Sequence, residues 1–200
     1  MSNFNISARN IGSLLGKCSW NDRWKTFMKV VKDNRKSTKA TQHGIRYESE
    51  AIDMYKVVSG NKSVTIDKKI VRHPKYKHLT GQVDGIVDLD DDRKAILEVK
   101  CPYTDIIFDP LKFEVKPLYW IQVQIYMEIH NVDICHFCEY YRFDDNNIFF
   151  RWKEIDRDPE WFEELVGVMD NFMDLLSVKT TKKRKLSNLE DSPNKKRKLE

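Results

Sequence analysis

The fold is decided by a stretch that reads Thr80-Gly-Gln-Val-Asp-Gly-Ile-Val-Asp88 and, after a short acidic segment, Ala95-Ile-Leu-Glu-Val-Lys-Cys-Pro102. Both halves are rich in β-branched and other apolar residues, which is typical of strands. The segment between them, Asp90-Asp91-Asp92, is typical of a polar turn. The sequence therefore predicts a hairpin whose strands run from Leu79 to Leu89 and from Lys94 to Lys100.

Three charged residues of this hairpin are placed where they can act together. Side chains two positions apart on a strand face the same side, so Glu98 and Lys100 share one face. When the strands pair across the turn, Asp84 lies near Glu98, and two such carboxylates repel each other unless a divalent cation lies between them. Oxygen-only ligation favours Mg²⁺ or Mn²⁺ over zinc. The hairpin therefore predicts a Mg²⁺ site at which Mn²⁺ can take the place of Mg²⁺.

This set of side chains suits phosphodiester hydrolysis. A cation held by Asp84 and Glu98 would polarise the scissile phosphate and lower the pKa of a bound water, while Lys100 would orient or deprotonate that water. The other interpretation is an exposed hairpin with solvated charges, which explains any single acid better. It does not explain the spaced set D-x13-E-x-K within strands that are otherwise apolar.

The rest of the chain alternates between helical and strand patterns. Apolar residues at helical spacing predict helices over residues 7–15, with Ser7 as the cap, and over 19–32, 45–58, 118–130 and 159–176. Further strands are predicted over residues 64–72, 134–143 and 147–153, and the polar segment 32–42 is predicted to be a loop. The resulting order predicts an α/β (α+β) fold in which helices flank a central mixed β-sheet.

Charge divides the chain into a folded domain, predicted at residues 1–178, and a tail at residues 179–200. The net charge is +4, but the tail carries nine Lys or Arg against three acids, which leaves 26 bases and 28 acids in the domain. The whole chain has 40% hydrophobic and 12% aromatic residues, so most of it is expected to fold, whereas the tail is expected to be disordered. A nearly neutral domain needs a local basic patch to bind DNA.

The tail repeats one basic cluster, Lys182-Lys-Arg-Lys-Leu186 and Lys195-Lys-Arg-Lys-Leu199. Such clusters in an extended segment are typical of nuclear localisation signals that a nuclear import receptor binds, and they also bind polyanions. The chain has no apolar run of 18 residues and no signal peptide at its N-terminus, so no membrane association is expected. We expect the protein in the host nucleus, and otherwise in the cytoplasm. Cysteines inside the cell are usually reduced, so Cys135 and Cys138 are expected to be free thiols.

The residues of the hairpin also carry a resemblance. Asp84 with Glu98-Val99-Lys100 resembles the PD-(D/E)-x-K motif of the restriction-endonuclease-like superfamily, with Val83 in place of the usual proline. More narrowly, four blocks in family order are similar to the phage lambda exonuclease and YqaJ-like viral recombinase family. They are His43-Gly-Ile-Arg-Tyr-Glu-Ser-Glu-Ala51, Val83-Asp-Gly-Ile-Val87, Leu97-Glu-Val-Lys-Cys-Pro-Tyr103 and Tyr119-Trp-Ile-Gln-Val-Gln-Ile-Tyr-Met127.

The resemblance implies a restriction-endonuclease-like core and adds two residues to the site. By it, Glu48 is the helix-borne acid that completes the metal site with Asp84 and Glu98, and Gln122 is the polar residue that lines the site from the later helix. Arg9 stands where the family usually has serine near the 5′-phosphate, and it is expected either to bind phosphate or to lie on the surface.

The resemblance also implies the function. We expect a Mg²⁺-dependent exonuclease that resects linear double-stranded DNA ends, 5′ to 3′, for recombination, repair or replication by single-strand annealing. A single-strand annealing protein and a homo-trimeric assembly are the expected partners, and the nuclear signal suggests a DNA virus of eukaryotes. The alternatives are an endonuclease of the same fold and a non-catalytic nuclear DNA-binding protein.

Overall fold

A computed structural model describes residues 5–15, 37–61, 63–66, 68–90, 92–103, 112–144, 146–171 and 173–174. By contacts between residues, the chain divides into one unit of Phe4–Pro159 and another of Met1–Asn3 with Glu160–Glu200. In the second unit, residues 160–171 and 173–174 are helical, as the sequence predicted. The predicted helix at 19–32, the boundary at 178 and the basic tail lie outside the described residues.

A five-stranded sheet forms the centre of the larger unit. Its strands in chain order are β2 (Val64–Thr65), β5 (Gly85–Asp88), β6 (Lys94–Lys100), β7 (Ile134–Arg142) and β8 (Ile148–Asp156). They lie side by side in the order β2-β5-β6-β7-β8, with β6 in the middle. The β6–β7 pair is parallel and the other three pairs are antiparallel, so the sheet is mixed, as predicted.

Helices cover both faces of this sheet. Helix α2 (Lys39–Ser59) packs Ile52 and Tyr55 against a core that includes Leu97 of β6 and Tyr140 of β7. Helix α3 (Pro117–His130) connects the parallel strands and lies on the opposite face, where its Tyr119 ring contacts Phe137 of β7. Because side chains alternate along a strand, Glu98 and Lys100 face α3, whereas Leu97 and Val99 face α2.

Helix α2 begins earlier than the sequence predicted. Thr38 is its N-cap and accepts a hydrogen bond from the Thr41 amide at 3.2 Å, so residues 39–42 are helical and the prediction of a loop over 32–42 is wrong there. All four side chains are exposed and only Ala40 is apolar, so this turn has no apolar periodicity that would predict a helix. The predicted end is confirmed, because Gly60 closes the helix with a φ of 74°.

A second, three-stranded sheet brings the N-terminal residues to the hairpin. It has the order β1-β4-β3 and consists of β1 (Ile6–Ser7), β3 (Val71–Arg72) and β4 (Leu79–Gly81). Helix α1 (Ala8–Leu14) follows β1 directly and packs against α3. Ser7 occupies the predicted cap position and also ends β1, and its side chain makes no capping hydrogen bond.

Two strands that the sequence predicted as continuous are interrupted. Residues 64–72 form β2 and β3, and residues 79–89 form β4 and β5, with one member of each pair in each sheet. The apolar pattern continues through both breaks, so it does not indicate where the chain passes from one sheet to the other. Residues 66, 68–70 and 82–84 lie outside the strands at these two breaks.

The second predicted hairpin and the two buried cysteines are confirmed. Residues 134–142 and 148–156 form the second hairpin, and Cys135 and Cys138 are buried free thiols three residues apart on β7. None of the helices among the described residues is long and apolar enough to cross a membrane.

Candidate active site

The hairpin of β5 and β6 brings two acids face to face. Gly85 pairs with Leu97, and the Asp84 amide donates a hydrogen bond to the Leu97 carbonyl at 3.2 Å, so the next residue on each strand places Asp84 opposite Glu98. The Asp84 carboxylate accepts the Val99 amide at 2.8 Å, which fixes its direction. Asp84 and Glu98 are called the acid pair below.

Lys100 and Gln122 bind the buried member of the acid pair. The Lys100 ammonium forms an ion pair with Glu98 Oε1 and a hydrogen bond of 3.2 Å to Gln122 Oε1. The Gln122 amide nitrogen donates to Glu98 Oε1 at 2.9 Å and also lies 2.8 Å from the Tyr126 hydroxyl. These contacts bring two residues of α3 into the same network as two residues of β6.

An aromatic ring covers the lysine. The Lys100 nitrogen lies 4.9 Å from the centre of the Tyr119 ring, one helical turn before Gln122 on the same face of α3. The face of an aromatic ring attracts cations because of the ring's quadrupole, so Tyr119 helps to hold the ammonium in place. The network and this ring border a cleft of about 750 Å³.

Glu48 enters the cleft from α2, as the resemblance implied for it. It lines the same cavity as the acid pair, but its Oε1 forms an ion pair with Lys68 at 3.0 Å. Lys68 comes from the segment between β2 and β3 and also lines the cavity. The structure therefore brings Glu48, Asp84, Glu98, Lys100 and Gln122 to one cleft, with a second lysine beside them.

The charges of this cleft favour the binding of positive charge. Burial raises the pKa of both members of the acid pair, and their mutual repulsion raises that of Asp84 further. Burial acts to lower the pKa of Lys100, but the neighbouring Glu98 and Asp84 carboxylates outweigh it, and the pKa is raised. Acids and lysine alike hold their protons more tightly, which shows that the site is electronegative and poorly solvated.

The acid pair fits a divalent metal ion. Glu98 Oε2 is buried and has no hydrogen-bond partner among the described residues, although a carboxylate oxygen out of water needs a donor or a cation. Carboxylate oxygens are the ligands that Mg²⁺ and Mn²⁺ prefer. Within the described part of the chain, no three His, Cys, Asp or Glu side chains are gathered closely enough to form a complete metal cluster. The acid pair would supply two ligands to such an ion, while the Glu48 carboxylate is paired with Lys68.

Neighbouring residues that resemble site residues in sequence point elsewhere. Glu50 binds Tyr140 and Arg142, so it fixes α2 to β7 and stays out of the cleft. Gln124 binds the backbone of Asp156 and Asp158 at 2.8 Å each, which leaves Gln122 as the glutamine of the site.

Arg9 is exposed and lines the cleft from α1. Its charge acts to lower the pKa of Glu98, which places a guanidinium within electrostatic reach of the acid pair. Arg9 thus lies at the surface and also beside the acid pair, where a guanidinium has the geometry to bind phosphate.

Sequence reasoning missed Lys68 and Tyr126. Lys68 lies in a segment predicted to be an ordinary strand, and nothing local distinguishes it from its neighbour Lys69. Tyr126 had a signal, because it lies four residues after Gln122, on the same side of α3, and its hydroxyl needs a partner when buried.

Comparisons with known proteins show the family and the fold of this chain. Residues 5–133 match the model of the YqaJ-like viral recombinase domain family. No curated protein matches the chain. Among solved structures, it is similar to the alkaline exonuclease LHK-Exo from Laribacter hongkongensis, with a TM-score of 0.77 and 22% identity over 92% of this chain and 94% of that chain.

Two further structures share the fold. LHK-Exo in complex with dAMP matches with a TM-score of 0.78 and 23% identity, over 94% of this chain and 96% of that one. A phage-related exonuclease from Haemophilus somnus 129PT matches with a TM-score of 0.67 and 18% identity, over 88% and 96%. At these identities the likeness shows a common fold.

Proposed function

We propose that this chain, which belongs to the YqaJ-like viral recombinase domain family, is a Mg²⁺-dependent exonuclease that degrades linear duplex DNA from its ends. The observation that carries the proposal is the convergence of the acid pair, Lys100 and Gln122 in one cleft, with a buried and unpartnered oxygen on Glu98. The names of the structural relatives, an alkaline exonuclease and a phage-related exonuclease, point to the same reaction.

Each residue of the site has a chemical task in this proposal. A divalent cation bound by the acid pair would supply Lewis acidity at the scissile phosphate and favour ionisation of the attacking water. Lys100, held by Glu98 and Tyr119, orients that water and stabilises negative charge as it develops on the phosphate. Gln122 fixes the Glu98 carboxylate and the Lys100 ammonium relative to each other, so neither has to reorganise during the reaction.

Cleavage of labelled DNA tests the proposed activity. Linear duplex is expected to shorten with Mg²⁺ or Mn²⁺ and to stay intact with EDTA, while closed-circular duplex of the same sequence stays intact throughout. Glu98→Gln is the matched control, since it removes a ligand charge without a change in volume. Cleavage of the circle would instead establish an endonuclease, and binding without any cleavage would establish a non-catalytic DNA-binding protein.

The direction of digestion and the assembly are further parts of the proposal. The family is one of recombinases, and recombination by annealing needs long 3′ single strands, so we propose digestion from 5′ to 3′ and handover of the product to a single-strand annealing protein. Duplexes labelled at one end only distinguish the directions by the order in which label is released. Light scattering tests the proposed homo-trimer, and a monomeric mass at the assay concentration contradicts it.

The basic tail is proposed to direct nuclear import. Its two Lys-Lys-Arg-Lys clusters match the charge that an import receptor's acidic groove recognises. A fusion to a bulky fluorescent protein is expected to accumulate in nuclei, and deletion of residues 179–200 is expected to abolish that accumulation while cleavage at low salt is retained. A truncated fusion that still concentrates in nuclei contradicts the proposal.

A further inference from the structure

The Glu48–Lys68 ion pair joins two residues whose surroundings differ. The Glu48 side chain is 21% exposed and Lys68 is 61% exposed, with 3.0 Å between Lys68 Nζ and Glu48 Oε1. Both line the cleft that holds the acid pair. Lys68 reaches it from the segment between β2 and β3, where the chain passes from one sheet to the other.

Two kinds of cation can neutralise Glu48. The charge of Glu48 acts on both members of the acid pair and raises their pKa values, so its carboxylate belongs to the same electrostatic site. A divalent cation at the acid pair therefore attracts Glu48 more strongly than one ammonium does. An ion pair with so exposed a lysine is weak, so the ammonium is easily displaced.

A displaced Lys68 does not leave the cleft. Its long side chain stays attached beside the acid pair, where the phosphates of a bound DNA strand would lie if the proposed function holds. Ammonium groups bind phosphate as point charges and tolerate a range of positions. The same lysine thus has one partner before the cation binds and a different one afterwards.

We propose that Lys68 exchanges partners, from the Glu48 carboxylate to a DNA backbone phosphate, when a divalent cation binds Glu48 and the acid pair. This inference rests on the proposed function and adds a substrate-binding residue to it. Cation binding and DNA binding then strengthen each other. A bound cation releases Lys68 from Glu48 so that the lysine can bind phosphate, and a bound phosphate removes Lys68 from Glu48 so that the carboxylate can bind the cation.

Two measurements on Lys68→Ala test the exchange. Calorimetry without DNA is expected to show tighter Mn²⁺ binding by a few-fold, at most about fivefold, because the competing ammonium is gone. DNA-end binding, measured in Ca²⁺ with intact DNA length as the check on turnover, is expected to weaken. Its salt dependence, the slope of log K against log salt concentration, is expected to fall by about one unit for the lost phosphate contact.

Lys94→Ala is the matched control. Lys94 forms an ion pair with Asp88 at 2.9 Å and is 60% exposed, so it resembles Lys68 in geometry but lies outside the cleft. It is expected to change neither measurement. Lys68→Arg is expected to restore the salt slope, because it restores the charge.

The outcomes separate this inference from the proposed function. If the wild-type chain cleaves linear DNA and Lys68→Ala changes neither Mn²⁺ affinity nor the salt slope, the exchange is wrong and the nuclease stands. If Mn²⁺ affinity rises but DNA binding is unchanged, Lys68 competes with the cation without binding phosphate, which also overturns the exchange. If Glu98→Gln leaves Mn²⁺ binding unaltered and no DNA is cleaved, the proposed function itself is wrong.

Discussion

Substitution of Lys100 by methionine separates the chemistry of the site from its stability. The change keeps most of the side-chain length and removes the charge that pairs with Glu98 Oε1. In the proposed reaction this charge orients the water and stabilises the developing anion. Loss of such a positioned group lowers the rate by about 10²- to 10⁴-fold, which is about 3 to 5 kcal/mol of barrier.

The same substitution has a cost for folding that depends on pH. Glu98 is 3% exposed and Lys100 18% exposed, so the variant keeps an ionised carboxylate buried without its counter-charge, at a cost of about 3 to 5 kcal/mol. The pKa of Glu98 is already raised by burial, and it rises further without Lys100. Protonation relieves the cost, so the variant is expected to lose more stability relative to the wild type at pH 8 than at pH 5.

Single-turnover cleavage with saturating Mg²⁺ measures the rate, and urea unfolding without metal at pH 5 and pH 8 measures the stability. Lys116→Met is the control, because Lys116 is exposed and lies against the same Tyr119 ring at 5.8 Å. It is expected to keep both rate and stability. A folded Lys100→Met that cleaves within tenfold of the wild type refutes the role in catalysis, and a stability difference that is equal at both pH values refutes the argument from burial.

Three other predictions concern the surroundings of the site. The folded-state pKa values of the acid pair lie above those of the unfolded chain. The metal-free protein is therefore expected to lose stability as the pH rises from 5 to 8, relative to a variant that carries Asp84→Asn and Glu98→Gln. Urea midpoints of the two proteins that differ equally at both pH values contradict this. Gly81→Ala is expected to cost about 1 to 3 kcal/mol and to slow cleavage, since its new Cβ would lie 2.7 Å from the buried Tyr126 ring; thermal unfolding and single-turnover rates check it. Glu50→Gln is expected to cost at most about 1 kcal/mol and to weaken Mn²⁺ binding through a less firmly held α2, and Arg142→Lys should retain most of both; unchanged calorimetry in Glu50→Gln would show that the pair does not position Glu48.

How far the sequence predicts this site depends on the distance over which each signal acts. The period of two along a strand and one acidic turn were sufficient to place Asp84, Glu98 and Lys100 on one face. Glu48 and Gln122 lie on separate helices, and only the resemblance connected them to the hairpin. By the helical repeat, residues 122 and 124 point to different sides of a helix, and the separate hydrogen-bond partners of Gln122 and Gln124 agree with that.

The failures have the opposite cause. The breaks after β2 and β4 exist because neighbouring residues pair with strands far away in sequence, as when Leu79 pairs with Ile6 in the smaller sheet. A local apolar pattern carries no information about which sheet a strand joins. Lys68 was missed for the same reason, since its position beside Glu48 follows from the passage between the sheets.

The parallel pairing of β6 with β7 has a consequence for how the protein is made. β6 carries Glu98 and Lys100, and one of its edges is completed only by β7, which follows α3 in the chain. Until β7 has been synthesised and docked, the backbone groups along that edge remain unpaired and the strand lacks its final position. A nascent chain therefore contains every acid of the site before it can hold them together, and DNA cleavage is expected to appear only when the last strands are in place.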